Sequence, residues 1–166
     1  ILLSAQLEER RNSTVKEEFN LSELFLNAIG EFRDRFPLRK CQQDIEPDCD
    51  LLGDPTLIKI LINNLLENAH KYSATDTMIS CTLTATASGP ALSVADEGEG
   101  IADDDKKKIF KKYYRRMAGQ SSAIQGTGLG LYLCQRIAHD HQAHIQVTDN
   151  VPKGSIFTVQ FNRLKA

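Results

Sequence analysis

One segment constrains this chain more than any other. From Pro55 to Tyr72 the run PTLIKILINNLLENAHKY repeats apolar residues at helical spacing, and Gly53-Asp54-Pro55 supplies a turn, an N-cap and a proline suited to the first helical position. At about 100° per residue Ile58, Ile62, Leu65 and Ala69 share one side, while Asn64, Asn68 and Lys71 form a stripe one step round. Such a helix needs an apolar layer to lie on. The next residues provide one: Ile79, Cys81, Leu83 and Ala85 alternate with Met78, Ser80, Thr82 and Thr84. After a turn at Ser88-Gly89-Pro90 a second strand of the hairpin runs through Leu92 and Val94.

The flanking segments repeat these themes. Asn20 or Ser22 can cap a helix carrying Leu21, Leu24, Phe25, Ala28, Ile29, Phe32 and Phe36, stopped by Pro37, and short strands fit Gln43 to Ile45 and Asp50 to Leu52. From Asp96 to Gly130 the chain is rich in glycine and charge, reading as an active-site loop interrupted by one helix near Asp105 to Met117. A helix near Thr127 to His141 follows, then two strands through Ile145 and Val147, and Phe157, Val159 and Phe161, across a turn at Pro152-Lys153-Gly154. The order predicts an α+β fold: a two-layer α/β sandwich, its mixed, mostly antiparallel sheet covered by helices on one face.

At 166 residues this is one domain with a short appendage, and 41% apolar residues with a net charge of -2 give no global basic bias toward nucleic acid. The basic run Lys106 to Arg116 follows Asp103 to Asp105, so it reads as a helix whose charges complement its dipole. Four cysteines without a CxxC pair suggest structural thiols. No apolar run approaches a membrane span, which predicts a cytoplasmic domain without membrane contact. Ile1 opens inside an apolar-periodic run, and residues 1–15 read as the end of a longer helix and a linker, with a membrane anchor possible upstream.

Three constellations carry chemistry. Asn64 and Asn68, one turn apart, could share a magnesium ion with Lys71 meeting phosphate, although the stripe taken alone fits a solvated face better. Asp96 shares strand parity with Leu92 and Val94, so it points inward unless the strand ends at Val94; a buried carboxylate needs a donor such as a heterocycle's exocyclic amine. Gly126, Gly128 and Gly130 open a helix whose free N–H groups suit phosphate, yet no GK[ST] follows and no early GxGxxG precedes, excluding P-loop and Rossmann folds.

Taken in order, N-L-L-E-N-A-H-K-Y-S, D-E-G-E-G-I, I-F-K-K-Y-Y-R-R and G-T-G-L-G-L resemble the N box, first glycine box, F box and second glycine box of sensor histidine kinases. The resemblance spans nearly the whole chain: residues 1–15 resemble the end of the dimerisation and phosphoacceptor hairpin, and 16–166 the ATP-binding catalytic domain of Bergerat fold. It implies Asn68 as magnesium ligand with Asn64 assisting, Lys71 and Tyr72 toward phosphates or ribose, and Asp96 receiving the adenine amine. Gly98, Gly100 and Ile101 would shape the adenine pocket, and Phe110 would anchor the lid helix. Gly126, Thr127, Gly128, Leu129 and Gly130 would hold lid and phosphates, with Arg115 steadying the γ-phosphate. The implied partners are ATP, Mg2+, the upstream helices and, through the full-length kinase, a response regulator receiver domain.

Hydrolytic relatives carry a water-activating glutamate where this chain has Asn64, and an amide cannot take a proton; Glu67 falls further round toward solvent. That and the helical lead-in favour a histidine kinase over a Bergerat ATPase or a serine kinase, and the intact pocket motifs favour it over a non-catalytic nucleotide-binding switch. The F box departs from the family in Lys111, Lys112 and Tyr113, and no phosphoacceptor motif surrounds His70, His139, His141 or His144. Those histidines are expected at helix surfaces or ends, and a monomer is expected.

Overall fold

The computed structural model describes residue 5, residues 16–112, residue 114 and residues 129–164. Strand β1 (Glu17–Asn20) leads into helix α1 (Leu21–Arg35), strands β2 (Lys40–Ile45) and β3 (Asp50–Gly53), and helix α2 (Pro55–Lys71). Strands β4 (Met78–Thr86) and β5 (Gly89–Ala95) form the expected hairpin, and helix α3 (Gly130–Asp140) precedes β6 (His144–Asp149) and β7 (Ser155–Gln160). The main sheet has the order β2-β4-β5-β7-β6, antiparallel except for the β2–β4 pair, while β1 and β3 form a separate two-stranded sheet.

Alternation decides which face is covered. Ile79, Cys81, Leu83, Leu92, Val94, Ile145, Val147, Phe157 and Val159 are buried, whereas Ser80, Thr82, Ser93 and Thr158 on the other face are half-buried. The helices lie on the apolar face, α2 between α1 and α3. Asp54 caps α2, accepting from the N–H groups of Thr56 and Leu57, and Pro55 takes the first position as expected. Ile58, Leu61, Ile62 and Leu65 are fully buried, each contributing about 1.5–3 kcal/mol by burial. Asn64 and Asn68 sit half-buried at the rim of that face. All four cysteines are free thiols.

Two expectations change. Strand β1 escaped sequence reading because EEFN offers one apolar residue, Phe19; pairing with β3 defines it. Over the described part of the helix expected near Asp105 to Met117, the chain instead makes two 3₁₀ turns, Asp103–Asp105 and Lys108–Phe110, with Lys111 already extended. Ile109 and Phe110 are the buried residues of the segment, flanked by lysines, and Lys107–Lys111 and Lys108–Lys112 would repel at i,i+4 in a continuous helix. The helix-dipole reading of the basic run falls with it: Lys106 pairs with Asp103 and, at 2.9 Å, with Asp149 on β6. Residues 1–4 and 6–15, assigned to the hairpin end, lie outside the described residues.

Candidate functional site

Asp96 stands one residue past β5, and its N–H donates to the Ser155 carbonyl at 2.9 Å, so pairing with β7 continues through it. That extension settles the parity question: the side chain turns inward and is 3% exposed. Its Oδ1 accepts from the N–H groups of Gly98 (2.9 Å) and Ser155 (3.3 Å), while Oδ2 accepts no hydrogen bond from the described residues. Burial pushes the Asp96 carboxyl above the ordinary range, and the two N–H groups and the Arg39 charge oppose that. A buried carboxylate with one oxygen fixed and one free is an acceptor for a donor brought from outside the described chain.

Glycine brings this acceptor onto the asparagine helix. A Cβ on Gly98 would lie 2.1 Å from the Tyr72 carbonyl oxygen at the end of α2, so only glycine allows the contact. Behind Asp96, a Cβ on Gly154 would meet the Asp96 carbonyl at 1.9 Å, and Asn150 Nδ2 donates to that oxygen at 2.8 Å. Gly100 packs beside Gly154, and Ile101 rests against the core. Glu97 turns to β4, its Oε1 accepting from Met78 N–H at 3.0 Å.

Along α2, Asn64 Nδ2 donates to the Ile60 carbonyl at 2.9 Å, and its Oδ1 lies 3.1 Å from where a Gly130 Cβ would stand. The start of α3, Leu129 and Gly130, therefore meets the asparagine stripe. Asn68 makes no side-chain hydrogen bond with the described residues; Lys71 is exposed and Tyr72 is 42% exposed, both at the C-terminal end of α2. Glu67 pairs with Arg35 of α1 at 3.0 Å, away from the stripe. Asp96, Gly98, Tyr72, Asn68, Asn64 and Gly130 thus form a continuous track from a buried acceptor to a helix N-terminus.

Phe110 is buried with its ring edge-on to Phe157 of β7 at 6.2 Å, fixing the base of the long loop to the sheet. Tyr114 OH donates to Asp105 Oδ1 at 2.7 Å, and Lys112 lies over the Tyr132 ring of α3 at 5.8 Å. Arg115, Gly126, Thr127 and Gly128, with Tyr113, lie outside the described residues.

Sequence reading missed Ser155, Asn150 and Arg39. Gly154 at the expected turn was a usable signal; nothing local marks a backbone N–H on β7 as the second donor to a carboxylate on β5. His141 ends α3 as expected, but is buried: Nε2 accepts from Asp54 N–H at 3.0 Å and Nδ1 donates to the Ile137 carbonyl at 2.7 Å. His70 packs on Phe36, ring centroids 4.0 Å apart.

The two-layer sandwich carrying this site is the fold of an ATP-binding domain family. Residues 53–165 match the family described as histidine kinase-, DNA gyrase B- and HSP90-like ATPase, and the chain belongs to it. Within that family it is the ATP-binding catalytic domain of the sensor histidine kinases. It is 35% identical over 147 residues to the adaptive-response sensory kinase SasA of Nostoc sp., covering 86% of this chain and 36% of that protein. To the sensor-like histidine kinase SenX3 of Mycobacterium tuberculosis it is 32% identical over 147 residues, covering 84% and 36%. The catalytic domain of the histidine kinase ThkA superimposes with a TM-score of 0.78 at 27% identity, over 90% of this chain and 99% of that one. The chain spans about a third of these curated relatives.

Proposed function

We propose that this domain binds ATP with magnesium and presents the γ-phosphate to a histidine on a dimerisation helix hairpin, as the catalytic part of a two-component sensor kinase. The observation that carries the reading is the buried Asp96 carboxylate with Oδ1 held by two backbone N–H groups and Oδ2 without a partner among the described residues, next to a helix whose Asn68 amide likewise has none among them. The adenine amine donates to Asp96, Gly98 and Gly100 with Ile101 form the purine wall, and Tyr72 and Lys71 face ribose or phosphates. Asn68, assisted by Asn64, offers amide oxygen to magnesium; a neutral donor set suits an ion that arrives with its phosphates rather than one caged by protein. Magnesium so held neutralises phosphate charge.

Transfer is in-line and needs positioning more than covalent participation by the protein. Gly126, Thr127, Gly128, Leu129 and Gly130 hold the lid and phosphates, and Arg115 steadies the γ-phosphate. Asn64 Nδ2 is committed to the Ile60 carbonyl and Glu67 to Arg35, so neither is placed as a general base for water, which favours transfer over hydrolysis. Residues 1–15 then belong to the hairpin end and linker, and 16–166 to the catalytic domain. The final acceptor is a response regulator receiver domain in the cytoplasm.

The test supplies the upstream hairpin in trans with γ-labelled ATP. Label on histidine is expected; nucleotide binding without transfer would instead make the domain a switch, and phosphate release without protein labelling would make it an ATPase.

A further inference from the structure

Among the described residues Arg39 is the only arginine or lysine that is buried, at 6% exposure. Buried guanidinium groups ordinarily pair with a carboxylate. Arg39 does not: Nη1 donates to the Ser73 carbonyl at 3.2 Å, and Nη2 to Ser73 Oγ and, at 3.4 Å, to Thr77 Oγ1, while Nε has no partner. Every one of these acceptors lies in the segment joining α2 to β4.

That segment closes the purine end of the site. Ser73 Oγ donates to the Ala69 carbonyl in the last turn of α2, the Tyr72 carbonyl supports Gly98, and Met78 N–H binds Glu97. Its position therefore sets where the DEGEG loop runs. Arg39 stands just before β2 and ties this segment to the sheet edge.

We propose that Arg39 is a positioning residue for adenine recognition: it clamps the 73–77 segment beneath the purine pocket through neutral acceptors, without forming an ion pair with Asp96. The separation is the functional point. A direct ion pair would occupy the carboxylate oxygen that the ligand needs, whereas a guanidinium held by neutral acceptors leaves that oxygen free while its charge opposes the upward shift that burial imposes.

The local electrostatics agree. Burial raises Asp96 and lowers Arg39, and the charge of each partly offsets the effect on the other. Arg39 is the charged group that opposes the shift of Asp96; Arg39 itself also faces Cys41 on β2 and Asp76 in the clamped segment, and it bears on His70 of α2 together with Arg35.

The inference rests on Asp96 as the adenine acceptor, and calorimetric titration with ADP and GDP between pH 6 and 8.5 tests both. Arg39→Gln keeps a donor for Ser73 but removes the charge. It is expected to weaken ADP binding about tenfold, with the loss larger at the acid end of the range than at the basic end. Its ADP-over-GDP preference should narrow at low pH, because a protonated carboxyl can donate to a guanine carbonyl. Arg39→Lys should restore the parent pH profile and preference.

An Arg39→Gln protein with the parent's profile and preference overturns the role of Arg39 alone. A parent protein that gives no heat with ADP sinks the purine reading of Asp96, and Arg39 with it. If Arg39→Gln fails to fold, Ser73→Ala/Thr77→Val decides: it loosens the clamp and leaves the charge. That variant should bind ADP about threefold more weakly with an unshifted profile, and unchanged affinity overturns the proposal.

Discussion

The two ends of the proposed nucleotide site are built differently. At the purine end the groups around Asp96, its Oδ2 excepted, are committed to other parts of the chain: Oδ1 to Gly98 and Ser155, the main chain to Ser155 and Asn150, and Gly98 to the Tyr72 carbonyl. At the phosphate end Asn68 has no side-chain partner among the described residues, Lys71 is exposed, and only Asn64 is held, by its own helix. On the proposed assignment a rigid acceptor would not adapt to a wrong base, so the purine end would supply selectivity, and the phosphate end would gain its order with the ligand, as suits a group that must leave for another protein.

The largest effect expected from this contrast is at Asp96. Asp96→Asn keeps an oxygen for the Gly98 and Ser155 N–H groups but offers adenine a neutral, partly mismatched amide. Losing one charge-assisted hydrogen bond, about 1.5–3 kcal/mol, should weaken ADP binding by roughly ten- to a hundredfold. Because the carboxylate is buried, the variant should melt no lower than the parent without nucleotide. Calorimetry and thermal melting check both; equal stabilisation of the two proteins by ADP would remove Asp96 from the purine end.

A smaller effect is expected at the looser end. Asn68→Ala should cost about tenfold in the magnesium-dependent part of ATP binding, while binding of ADP in a chelator stays near the parent's. Comparing titrations with magnesium and with chelator checks this, and an equal loss in both would mean that Asn68 supports the fold or the purine rather than the metal-bearing phosphates.

What the sequence made legible follows the same division. Helix α2, the β4–β5 hairpin and the inward aspartate were readable because period and parity are local: Ile58 to Ala69 repeat at helical spacing, and Leu92, Val94 and Asp96 share one face. Ser155, Asn150 and Arg39 were not, because each acts through a partner at least 34 residues away, and no local pattern encodes that pairing. The helix expected over the F box differed for another reason: its charges imitate a capped helix, whereas in a continuous helix its lysines would repel at i,i+4 and the described backbone makes two 3₁₀ turns instead.

The smallest effect separates a buried group kept for function from one kept for the fold. Asp96 is pushed up by burial, so its folded form holds a proton the unfolded chain has given up; that contribution is present at acid pH and lost as pH rises through the folded value. His141 is pushed down by burial, with its neutral ring bridging Asp54 and Ile137. The unfolded chain therefore takes up the proton first, and the stability from His141, full above about 6.5, is lost as pH falls from there through the folded value. His141→Gln can still accept from Asp54 but does not titrate. It should cost about 1 kcal/mol at pH 7, and the gap to the parent should narrow by pH 5 in urea unfolding. Parallel stability curves across that range would mean that His141 is not held neutral. They would leave the Asp96 contribution, which runs with the opposite slope, as the pH-sensitive element of the pair.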